Sequence, residues 1–109
     1  MANYRRSRFA GCTYFFTVNL AERNKTLLTQ NIDALRKAFF DIMQAHSFTI
    51  DAAVILPDHL HTIWTLPKDD YDFSMRWRQI KSAFSRTIEK GERVSKNRVQ
   101  KQERGIWQR

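Results

Sequence analysis

Hydrophobic and polar positions change rhythm along this chain, and each change marks an element. From Thr13 to Leu20 the period is two. Tyr14, Phe16, Val18 and Leu20 alternate with Thr13, Phe15, Thr17 and Asn19, and β-branched and aromatic residues dominate, which predicts a strand. Phe15 places an aromatic ring on the otherwise polar face, suited either to packing under a helix or to stacking on a base. From Asn31 the period lengthens: Ile32, Leu35, Phe39, Ile42 and Met43 follow the spacing of an amphipathic helix. Asn31 is its expected N-cap, Asp33 lies near its positive end and His46 near its negative end.

Alternation returns over Phe48 to Leu56, predicting a second strand with Phe48, Ile50, Ala52, Val54 and Leu56 on one face. Pro57-Asp58 breaks it, and His59 to Leu66 forms a third strand. So short a connection makes an antiparallel hairpin. Pro67 ends the third strand, and 68–72 is a polar loop. Ser74 is the expected cap of a second helix, with Trp77, Ile80, Phe84 and Ile88 as its buried stripe. Arg76, Arg78, Lys81, Arg86 and Lys90 take its remaining faces, and Gly91 stops it. Residues 92–104 are almost wholly polar, with only Val94 and Val99 able to pack, and Gly105-Ile106-Trp107-Gln108-Arg109 begins another strand.

The resulting order, β-α-β-β-α-β with the last strand incomplete, predicts an α+β domain of the ferredoxin-like, split βαβ kind: an antiparallel sheet with two helices on one face. The 109 residues suit one domain, divided into a basic arm (1–12), a core (13–90), a basic loop (91–104) and the start of the last strand (105–109). An incomplete strand leaves an unpaired sheet edge, which predicts self-association or low stability.

Charge adds a partner to this outline. The formal net charge is +8, and residues 1–73 hold 8 basic and 8 acidic side chains against 11 and 3 in residues 74–109. Arg5, Arg6 and Arg8 form a second basic cluster. Two basic regions around a near-neutral apolar middle suit a polyanion, because phosphate neutralisation with counterion release supplies affinity for such surfaces. The alternative is a solvated face that only aids solubility. Cys12 is the single cysteine, which excludes an internal disulfide or a cysteine-based zinc site and fits a reducing cytosol. No apolar run approaches a membrane span, and the N-terminal residues lack a signal-peptide core, so the expected location is the cytoplasm, at the nucleoid.

The candidate chemistry is in Val54-Ile55-Leu56-Pro57-Asp58-His59-Leu60-His61-Thr62-Ile63-Trp64. On a strand His59 and His61 share a face at a Cα separation of roughly 6–7 Å, while Leu60 points the other way with Trp64 and Leu66 and anchors the strand. Two imidazoles so placed can meet one divalent ion, whose other donors would be oxygens from a side chain, water or a phosphate. His-x-His also occurs on exposed strands that bind nothing. A basic helix next in sequence makes metal-assisted phosphodiester chemistry the more informative reading.

In these residues the chain resembles the REP-associated tyrosine transposases, a branch of the single-tyrosine HUH endonucleases, named for two histidines flanking a hydrophobic residue. That motif is His59-Leu60-His61, set in a stretch from Ile55 to Pro67 that is similar to the family's own. Tyr4-Arg5-Arg6, the strand from Gly11 to Leu20, the segment from Phe73 to Lys81 and the terminal Gly105 to Arg109 extend the resemblance from end to end. It implies a ferredoxin-like core that binds single-stranded or hairpin DNA from repetitive extragenic palindromes. It further implies Mg2+ or Mn2+ held by His59 and His61, and a tyrosine that attacks the scissile phosphate to give a 5′-phosphotyrosine and a free 3′-hydroxyl. Tyr4, Arg5, Arg6, Arg8, Arg76, Arg78, Lys81 and Arg86 are the expected DNA contacts.

The family's nucleophilic tyrosine and an amide metal ligand lie on a helix after the fourth strand, at positions beyond Arg109. Tyr4, Tyr14 and Tyr71 do not match that position. The expectation is therefore a chain that binds DNA and holds half a metal site but does not cleave by itself. Two other readings stay open on the residues: a non-catalytic nucleic-acid-binding module that uses its sheet, although the RNP1 pattern is absent, and a water-activating metal nuclease with Asp58 or Asp51 as a further ligand.

Overall fold

The computed structural model describes residues 11–22, 25–88 and 106–107. Tyr4, Arg5, Arg6 and Arg8 of the arm, Lys90, Gly91 and the 91–104 loop lie outside the described residues. The elements are β1 (Thr13–Asn19), a short α1 (Leu27–Gln30), α2 (Ile32–Ala45), β2 (Thr49–Ile55), β3 (His59–Thr65) and α3 (Phe73–Arg86). The sheet order is β1-β3-β2, with β3 antiparallel to both neighbours. β1 and β2 therefore run parallel with β3 inserted between them. This is the mixed α+β antiparallel arrangement that the hydrophobic pattern predicts. Beyond β1, an isolated antiparallel bridge joins Leu20 to Trp107; the rest of the expected closing strand lies outside the described residues.

Helices cover one face of the sheet. Tyr14, Phe16, Val18 and Leu20 of the β1 strand and its extension, with Leu60, Trp64 and Leu66 of the β3 strand and its extension, are buried beneath Leu35 and Ala38 of α2 and Phe73, Trp77, Ile80 and Phe84 of α3. Trp64 and Trp77 stack across the layers with ring centroids 4.4 Å apart, and Phe16 meets Trp77 edge-on at 5.4 Å. Such aromatic pairs contribute beyond the area they bury.

Four local expectations are corrected. First, α1 was not foreseen. Its Leu28 is fully buried and donates its backbone N–H to the Pro57 carbonyl (3.2 Å), so a contact distant in sequence holds this single turn. Second, Asn31 precedes α2 but makes no side-chain cap; its Nδ2 instead donates back to the Leu27 carbonyl (3.0 Å) and closes α1. Third, Asp72 caps α3 rather than Ser74: its carboxylate accepts from the Met75 N–H (3.1 Å). α3 ends at Arg86, with Thr87 as C-cap. Fourth, the register of β2 shifts at a bulge between Ile50 and Ala52. A bulge adds one residue and exchanges the faces beyond it. Ile50 shares the helix face with Ala53 and Ile55, while Ala52 and Val54 turn to the open face beside Ile63 and His61.

Arg76 is the largest departure from the expected surface of α3. It is 2% exposed, not a solvent-facing base. Its guanidinium donates to both carboxylate oxygens of Asp70 (2.8 and 3.3 Å) and to the carbonyls of His46, Ser47 and Asp72 (3.3, 2.9 and 3.0 Å). The side chain thus ties the start of α3 to the α2–β2 connection and to the loop after β3, and it leaves the set of DNA contacts. A planar fork of five donors suits this task better than a lysine would. Arg76 holds the Asp70 carboxyl below its ordinary pKa by hydrogen bonding, and the Asp72 backbone N–H adds to the effect.

A lowered folded-state pKa means that this carboxylate stabilises the fold above the ordinary carboxylate range, and that the contribution is lost as pH falls through the folded value. Asp70→Asn is expected to lower stability by about 1.5–3 kcal/mol near pH 7, the range for a hydrogen bond to a charged group. The gap from the parent chain should narrow below about pH 4 in thermal melts across pH. A constant gap down to pH 2 would contradict the assignment. Asp72→Ala is expected to cost about 1 kcal/mol as a lost cap, against less than roughly 0.5 kcal/mol for Ser74→Ala, measured by urea denaturation.

Candidate metal and nucleic-acid site on the open sheet face

The alternation of β3 sorts its chemistry. Leu60, Thr62 and Trp64 point into the core, and His59, His61, Ile63 and Thr65 point to the face that the helices leave uncovered. Leu60, fully buried between the two histidines, holds both imidazoles on the same side. Their ring centroids are 5.1 Å apart and the planes are nearly perpendicular, at 81°.

Each ring is held from behind. Asp58 Oδ1 lies 2.7 Å from His59 Nδ1, and a carboxylate accepts only, so His59 Nδ1 carries the hydrogen. Thr17 Oγ1 lies 2.9 Å from His61 Nδ1, and the Phe15 ring stacks on His61 at 5.8 Å and 13°. Among the described residues neither Nε2 has a hydrogen-bond partner, so both Nε2 atoms are available to a ligand. Orientation of a ligating imidazole by a carboxylate at its far nitrogen is a recurrent arrangement, because it sets the tautomer and raises ligand basicity. Asp58 thus supports a ring, where the sequence suggests a direct ligand. Its adjacency to His59, together with the break at Pro57, is the signal that could have pointed to this supporting role.

The turn that carries Asp58 is itself anchored. The Asp58 carbonyl accepts from the Leu20 N–H (2.8 Å), and the Leu56 N–H bonds the His59 carbonyl (2.8 Å). Asp51, the other proposed carboxylate, accepts from Thr65 Oγ1 (2.6 Å) at the opposite end of β3 and is not near the histidines. From His59 to Thr65 the strand spans roughly 20 Å at about 3.3 Å per residue. Among the described residues no group of three or more His, Cys, Asp or Glu side chains could hold a metal. Two imidazole Nε2 nitrogens on one face, each ring held through its Nδ1, fit a divalent ion whose remaining donors are oxygens.

The tyrosines stand apart from this pair. Tyr14 is buried on the helix face. Tyr71 follows the turn whose Asp70 carbonyl accepts from the Gly11 N–H (2.9 Å), at the Thr65 end of the sheet, away from His59. Tyr4 lies outside the described residues.

The basic candidates on α3 divide in three. Arg76 is interior. Arg78 and Arg86 are exposed, Arg86 donating to Ser82 Oγ (2.9 Å). Lys81 lies against the Trp107 ring, its Nζ 5.8 Å from the centroid, and burial pushes its ammonium pKa down. Trp107 Nε1 donates to Ser85 Oγ (3.0 Å), its ring packs on Phe84, and Trp107 bridges Leu20. The C-terminal end of α3 therefore lies at the His59 end of the sheet, in the opposite layer. A cavity of about 380 Å³ between α2 and β2 is on the helix face, lined by Leu35, Phe39, Phe40, Ile50, Ile55 and others, and does not adjoin the imidazole face. No described helix is long and apolar enough to cross a membrane.

Residues 8–109 match the family model described as Transposase IS200 like. A REP-associated tyrosine transposase from Escherichia coli is 49% identical over 85 residues, which cover 78% of this chain and 52% of that protein. A relative from Haemophilus influenzae is 40% identical over 110 residues, covering the whole chain and 62% of that protein. The solved structure of a REP-associated tyrosine transposase bound to a REP hairpin superposes with a TM-score of 0.76 at 42% identity, over 99% of this chain and 58% of that one. The chain thus spans between about half and three-fifths of the length of these relatives. With the His59-Leu60-His61 geometry and this match over nearly all of its length, the chain belongs to the IS200-like transposase family and is similar to its REP-associated tyrosine transposases.

Proposed function

We propose that these 109 residues bind single-stranded or hairpin DNA of the REP type and present one of its phosphates to a divalent ion held by His59 and His61. The observation that carries this reading is the pair of imidazoles on the uncovered sheet face, each engaged at Nδ1 and with no partner at Nε2 among the described residues. The REP hairpin in the complex of the 42% identical relative supports the choice of DNA. A net charge of +8 supplies the sequence-independent attraction.

Each residue then has a task. Asp58 and Thr17 hold the two rings and set which nitrogen faces outward. Leu60 and Trp64 keep the strand from rotating. Arg78, Lys81 and Arg86, with Tyr4, Arg5, Arg6 and Arg8 of the arm, contact the phosphate backbone. His59 and His61 would hold Mg2+ or Mn2+, which would supply Lewis-acid polarisation of a phosphate oxygen. A nucleophile is needed in addition, and neither Tyr14 nor Tyr71 is placed for that role, so we infer that these residues bind without cutting. DNA as the partner places the protein in the cytoplasm, at the nucleoid.

The test is direct. Fluorescence anisotropy with a labelled REP hairpin should show binding whose affinity falls as salt rises, and Arg78→Ala or Arg86→Ala should each make that log–log slope shallower by roughly 0.7–0.9, the value for one phosphate contact. No covalent protein–DNA adduct should form with Mn2+; a robust adduct would overturn the non-cleaving assignment. Manganese should broaden the ring resonances of both histidines when oligonucleotide is present. Asp58→Asn should weaken the apparent metal affinity by about 10- to 100-fold, and unchanged His59 and His61 resonances would remove the metal from the proposal.

A further inference from the structure

The face that carries the imidazoles also carries an apolar band. Across the sheet, Phe15 of β1 pairs with Ile63 of β3, and Ile63 with Ala52 of β2; one row nearer the end, Thr17, His61 and Val54 align. Phe15 is 50% exposed and Val54 56% exposed. The helices occupy the other face, so no described element covers these side chains. Phe15 is the aromatic of this band, and its ring lies within 13° of the His61 plane at 5.8 Å. Beyond it the surface is polar again, with the Thr13 and Thr65 hydroxyls hydrogen-bonded at 2.9 Å.

We propose that Phe15 is the stacking platform for an unpaired nucleobase of the strand whose phosphate lies at His59 and His61. This rests on the DNA-binding reading and adds to it a specificity-determining contact. The occupant must match a flat apolar ring that stacks on the His61 imidazole, on the face that carries both imidazole Nε2 nitrogens. An apolar protein segment laid over this face would cover those nitrogens without giving them acceptors, which is costly. A nucleotide matches both parts, because its base is a flat aromatic surface and its phosphate is an anion within the reach of one sugar. Its charge also complements a chain of net +8. Base–aromatic stacking is tolerant of sequence, since every base has a π-face, so Phe15 selects for an unstacked, accessible base rather than for its identity. Duplex DNA, with its bases already stacked, cannot use this contact.

The test uses the 109-residue chain and a labelled single-stranded oligonucleotide carrying one abasic position, moved stepwise along it, in Mg2+ buffer. Phe15→Ala should weaken binding of the intact strand by between about five- and a hundred-fold. Phe15→Trp should retain binding, and Phe15→Leu, similar in bulk but without a π-face, should lose most of it. At one abasic position the parent should drop to the affinity of Phe15→Ala, and Phe15→Ala should lose nothing further there. Melting temperatures should stay close to the parent's, because Phe15 is half outside the core. Equal affinity of Phe15→Leu and the parent, or equal penalties for Phe15→Ala on intact and abasic strands, would overturn the inference while leaving DNA binding standing. A marked fall in melting temperature with unchanged affinity would also overturn it and show a protein segment as the occupant. Failure of the parent chain to bind any oligonucleotide would overturn both.

Discussion

The structure depends on one constraint: β3 is hydrogen-bonded on both sides and covered on only one face. A strand with two neighbours cannot rotate, so the alternation of its side chains becomes a fixed partition between core and surface. Leu60, Thr62 and Trp64 are committed to the interior, and burying Trp64 against Trp77 and Phe16 makes any slip of register expensive. His59 and His61 are therefore outward because Leu60 and Trp64 are inward. The precision that a metal or phosphate site needs comes from the hydrophobic effect acting on the opposite face of the same strand.

Two carboxylate contacts divide the work between fold and site. Arg76 and Asp70 fasten three segments at the Thr65 end of the sheet, where no candidate chemistry lies. Asp58 and His59 stand at the other end, where the pairing orients a ring instead of closing the fold. The cations that stay exposed on α3 lie in the helix layer, yet Trp107 draws the C-terminal end of that helix to the His59 end of the sheet.

The open face is the part of this domain whose chemistry is least complete on its own. It offers two nitrogens, a half-exposed phenyl ring and a row of hydroxyls, and among the described residues it has no third metal ligand and no tyrosine. The matching relatives are longer than this chain. The half-exposed Phe15 stands on the same face as both imidazoles.

Much of this was legible in the residue pattern. The alternation from Thr13 to Leu20 and from His59 to Leu66, the helical spacing of Ile32, Leu35 and Phe39, and the pairing of His59 with His61 across a buried Leu60 all follow from local periodicity, because side-chain direction in a strand or helix is set by the backbone alone. Four features were decided only in three dimensions. Arg76 reads as a surface base until the carbonyls of His46 and Ser47, thirty residues earlier in the chain, arrive to accept from it. The α1 turn exists because Pro57 accepts a bond from Leu28. The bulge in β2 reverses the faces of Ala52 and Val54, and nothing in a period-two reading marks where an extra residue will be inserted. Asp58 becomes the support of His59 only once the turn after Pro57 departs from strand geometry. Periodicity determines which way a side chain points from its own element; tertiary structure determines which elements, and which distant backbone groups, stand there to meet it.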